Sequence, residues 1–92
     1  MFESINTDQF KKECRYEREL GEYQRRLSEL PLEIKLAIHK GYTSIQKSYI
    51  FEISDEDINK LEEMRIHTEK GNNYIDSPYH TYIFRFWELA TL

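Results

Sequence analysis

Tyr16, Leu20, Tyr23, Leu27 and Leu30 return at steps of four, three, four and three. Only an α-helix gathers such a series onto one side, here an arc of about 80° spanning about two heptads. Six basic and six acidic side chains fill the other faces between Asp8 and Glu29. Glu22 precedes Arg26 by four residues, the favourable order for an ion pair on a helix. The start is marked as well. Asn6 suits an N-cap with Gln9 three residues on, Ile5 and Phe10 suit a hydrophobic staple, and Asp8 matches the helix dipole. Pro31 stops the run, so the spacing predicts a helix over residues 7–29.

Residues 32–40 carry two signals. Leu32, Ile34, Leu36 and Ile38 alternate with Glu33, Lys35, Ala37 and His39, the period of a half-buried strand. Pro31 at a first helical position and Gly41 beyond Lys40 would equally suit a short helix. Residues 45–53 put Ile45, Tyr49, Phe51 and Ile53 on one face and need a neighbour. The expectation is therefore a β-hairpin of 32–39 with 45–53. Ser54 followed by Asp57 opens a second helix, with Asp55, Glu56 and Asp57 in its first turn. Ile58, Leu61 and Met64 form its stripe, and Gly71 after Lys70 its stop. Residues 71–78 read as a loop. From Tyr79 onward Tyr82, Phe84 and Phe86 alternate with Ile83, Arg85 and Trp87, a strand apolar on both faces. A helix capped by Ser77 is its rival.

The expected fold is a small α+β single domain over residues 1–92 in the order α-β-β-α-β. Its three-stranded sheet carries both helices on one face and leaves the other partly bare. Ninety-two residues give a small core, which makes a homodimer an economical way to bury more surface. A single cysteine, Cys14, excludes an internal disulfide, and no run approaches a membrane span. The start lacks a signal-peptide pattern, so a cytoplasmic protein is expected.

Charge argues against phosphate as the main ligand. The net −4 comes entirely from residues 45–92, where nine acidic side chains outnumber five basic ones. His39, His67, His80 and Cys14 are too far apart in sequence for a zinc motif, so no metal or cofactor is implied. Cys14 sits mid-helix without a nucleophile signature. The carboxylates are explained by capping and a solvated helix face, and no enzyme is expected. What stands out is seven tyrosines, five phenylalanines and a tryptophan on so small a scaffold. Trp87 and Phe84 are assigned to the core. Tyr16, Tyr23, Tyr82 and Phe86 are assigned to a partner surface, because aromatics dominate binding hot spots. Asp55, Glu56, Asp57, Glu62 and Glu63 would steer a partner with a basic site. The expected function is an interaction module that masks or inhibits a partner protein. Immunity proteins, antitoxins and inhibitors of viral or mobile-element origin act in that way. The alternative is a dimeric nucleic-acid-binding regulator using Arg15, Arg18, Arg25 and Arg26.

Overall fold

A computed structural model of the chain describes residues 6–71 and 76–92. The order is α1 (Thr7–His39), β1 (Ser44–Tyr49), α2 (Asp55–Glu63), β2 (His67–Lys70), β3 (His80–Arg85) and α3 (Trp87–Ala90). This is the expected α+β class with a three-stranded sheet, which is antiparallel throughout, but the element order differs. The chain divides into two compact units, residues 1–30 and 31–92. Within the first, the described residues form the N-terminal part of α1.

The hairpin of 32–39 with 45–53 does not form, because α1 runs through Pro31 to His39. Its apolar steps continue past Leu30 to Ile34 and Ala37, and all three are buried. A three–four series that persists outweighs a shorter alternating one. Gly41, at φ 91°, then ends the helix. Its N–H donates to the Ile38 carbonyl and that of Tyr42 to the Ala37 carbonyl, the paired bonds of a Schellman motif. At the other end the Asn6 side chain accepts from the Gln9 amide at 3.1 Å, as its capping role requires. Ile5, the other half of the predicted staple, lies outside the described residues.

The second helix is shorter than predicted. Ser54 caps it by accepting from the Asp57 amide. It ends at Glu63 because Arg65, at φ 67°, closes a second Schellman motif, with Ile66 N–H bonded to the Leu61 carbonyl. A non-glycine residue in that left-handed conformation costs about 1 kcal/mol or more. Ile58 and Leu61 are half-buried, while Met64 is exposed. The freed residues 67–70 become β2 instead of a last helical turn. Residues 72–75 of the predicted loop lie outside the described residues.

β3 is the central strand of the order β1-β3-β2, antiparallel to both neighbours. It delivers the expected C-terminal strand, ended by the short α3 rather than running on. Tyr82, Phe84 and Phe86 project to one face and are fully buried, with Ile34, Ala37, Tyr49, Ile53 and Ile66 also in the core. The Tyr82 hydroxyl accepts a hydrogen bond from the buried Ile53 amide at 3.0 Å, which satisfies both groups. The register puts Ser44, Gln46, Ser48, His67, Glu69, Thr81, Ile83 and Arg85 on the opposite face. Polar pairs dominate there: Ser48 with Thr81 at 3.0 Å and Arg85 with Glu69 at 3.1 Å. That face is made for water.

Candidate functional site

Among the described residues, β1 pairs on one side only. The Phe86 amide donates to the Thr43 carbonyl, which sets the phase of the ladder. In antiparallel pairing the hydrogen-bonded positions alternate, so Ile45, Lys47 and Tyr49 bond to β3. Ser44, Gln46 and Ser48 turn their N–H and C=O groups away from it. The other edge is treated differently: Glu62 Oε1 accepts from the Thr68 amide at 3.0 Å and so covers part of the β2 ladder.

Beside β1 lies a groove of about 320 Å³, lined by Glu33, Leu36, Ala37 and Lys40 of α1, Tyr42 of the turn, and Ile45 and Lys47 of β1. Its apolar wall exists because the Schellman turn at Gly41 folds Tyr42 back beside the last turn of α1. Leu36 and Tyr42 each expose more than half their surface. Glu33 and Lys47 form an ion pair across the groove. Lys40 is exposed at its rim. An open backbone edge next to an apolar groove is the geometry that accepts an added strand. Sequence reasoning missed this site by giving β1 the wrong neighbour. The helical stop at Gly41 was the signal that could have freed it.

The residues predicted for partner contact scatter. Tyr82 and Phe86 are wholly buried and cannot touch a partner, because β3 is central and needs large side chains on its core face. Phe84 is core as expected. Trp87 is not: it is 46% exposed, its ring stacked on His67 at 4.5 Å. Tyr16 is exposed and Tyr23 half-buried on α1. In α2, Asp57 serves the Ser54 cap, Glu56 lies 3.8 Å from Lys60, and Glu62 is held internally. Asp55, Glu56 and Glu63 remain at the surface. The four arginines form two pairs along α1, Arg15 with Arg18 and Arg25 with Arg26. Glu22 sits between the pairs and is bonded to Arg25. A carboxylate in mid-face works against a continuous phosphate track.

A second polar cluster was not foreseen, since His67 was assigned to the end of a helix. In β2 its ring bridges two carboxylates, Nδ1 to Glu62 at 2.9 Å and Nε2 to Glu88 at 2.8 Å. Arg65 adds a 3.2 Å contact to Glu88. The bonds to Glu88 and then Glu62 raise the His67 pKa above its usual 6.5. The same bond to His67 holds the Glu88 carboxyl below its usual 4.5. The cluster ties α2, β2 and α3 together, and its polar atoms are consumed by one another. It is a clamp.

Among the described residues, no group of three or more His, Cys, Asp or Glu side chains could hold a metal ion. No described helix is long and apolar enough to cross a membrane. No family model, curated protein or solved structure matches this chain.

Proposed function

We propose that this chain is a protein-interaction module that takes up an extended segment of a partner protein as a fourth strand on β1. The observation that supports it is the edge at Ser44, Gln46 and Ser48, unpaired among the described residues, beside the Leu36–Tyr42–Ile45 groove. Main-chain bonds to that edge would supply affinity, and alternate side chains entering the groove would supply selectivity. Lys40 at the rim favours a segment with a carboxylate next to its apolar residues. Holding such a segment would mask or inhibit the partner. A basic surface elsewhere on the same partner would meet Asp55, Glu56 and Glu63.

A phage-displayed library of random peptides, selected against the full chain, tests this reading. The expected winners alternate apolar and polar residues, include an acidic one, and lose about tenfold or more in affinity to Gln46→Pro. That substitution removes one outward N–H without a bond to β3. A library that yields no binder, or binders indifferent to Gln46→Pro and to Leu36→Glu, would reject strand addition at β1.

A further inference from the structure

We infer that the segment taken up by β1 is the C-terminal end of a partner chain, running antiparallel to β1 with its terminal carboxylate at Lys40. This deepens, and rests on, the reading of β1 as a strand-accepting edge. The ladder has a definite end. In the phase that turns Ser44, Gln46 and Ser48 outward, the next rung is Tyr42. Its N–H is already bonded to the Ala37 carbonyl in the Schellman turn. A segment pairing along β1 therefore loses its next main-chain donor just beyond Ser44. Backbone carried past that point would leave a carbonyl unpaired against the wall of Leu36 and Tyr42. A chain that stops there avoids the cost.

Charge selects the direction. Lys40 is exposed in the groove wall beside Tyr42, and among the described residues it carries no ion pair. Elsewhere in the groove the Lys47 ammonium is already neutralised by Glu33. The uncompensated positive charge thus lies at the Ser44 end. Antiparallel pairing brings the C-terminus of the added strand to that end, whereas parallel pairing would bring its positively charged N-terminus. Side chains fix the register. With the last-but-one residue of the segment bonded at Ser44, alternation sets the last and third-from-last side chains on the groove side. There they meet Leu36 and Tyr42, which are 52% and 58% exposed. Further main-chain bonds fall at Gln46 and Ser48, so a tail of about six residues fills the edge. A segment interior to a chain has to supply the charge for Lys40 from a side chain instead.

Short random peptides displayed with free C-termini and selected against the full chain supply the probes, with far-UV circular dichroism as the check that each variant folds. The expected winners carry apolar residues at the last and third-from-last positions. Each is then made as the free acid and as the C-terminal amide, and the amide should bind about tenfold more weakly. Lys40→Gln should weaken the acid by a similar factor and leave the amide within about twofold, since the charge that Lys40 meets is already gone. Gln46→Pro and, independently, Leu36→Glu should weaken both forms. Equal binding of acid and amide would overturn C-terminal recognition, and so would a Lys40→Gln effect that is the same for both. Sensitivity to Gln46→Pro or Leu36→Glu would in those cases still uphold strand addition. Binders indifferent to both variants, or no binder at all, would overturn strand addition and this inference together.

Discussion

At the scale of single residues, His67 shows how a group that looks functional is absorbed by structure. It carries two carboxylate contacts and a ring stack, yet every polar atom points to a neighbour. Its charge state still matters. Because its folded pKa is raised, the stability it contributes is complete below the usual histidine value and is lost as pH rises through the folded pKa. Glu88 is lowered, so its share is present above the usual carboxylate value and is lost as pH falls. The clamp is therefore strongest between about pH 4.5 and 6.5. The difference in urea stability between the unmodified chain and His67→Ala should peak in that window and shrink towards alkaline pH. Trp87 is the single tryptophan and stacks on the imidazole, so its emission should titrate with a midpoint above 6.5. A midpoint at or below that value would contradict the bridged geometry.

At the scale of elements, α1 decides the architecture. Pro31 lies inside it, lacking the N–H that a helix-interior residue donates to the carbonyl four before it. The helix persists because Leu30, Ile34 and Ala37 are buried on the same side. Pro31→Ala restores the donor and a better helix former, so thermal unfolding should shift upward, by about 1–3 kcal/mol in stability. A lowered Tm would mean that the chain needs the proline's fixed φ at this point. The predicted boundary failed here because a proline and an alternating run were both read locally, whereas burial acted over seven residues. α2 failed in the opposite sense. Its cap at Ser54 was legible, but its end depended on Arg65 accepting a left-handed conformation that is unusual for an arginine.

At the scale of the whole molecule, the margin is narrow. A chain of this size is held by a net stability on the order of 5–10 kcal/mol. Phe84 sits at the centre of the sheet, wholly buried beside Tyr82. Phe84→Ala should cost about 3–5 kcal/mol, enough to lower the urea midpoint by roughly half. A loss under about 1 kcal/mol would show that Phe84 is not central to the core. The α+β class, the caps of α1 and α2, the apolar stripe of α1 and the aromatic strand that became β3 were all legible in local pattern. Those features rest on periodicity and capping, which act between residues a few positions apart. Packing in three dimensions selected which strands pair, that Tyr82 and Phe86 face inward while Trp87 faces out, and that β1 lies at the edge of the sheet beside a groove. Strand order and facing depend on contacts between residues 12 to 41 positions apart, for which a local pattern carries no address.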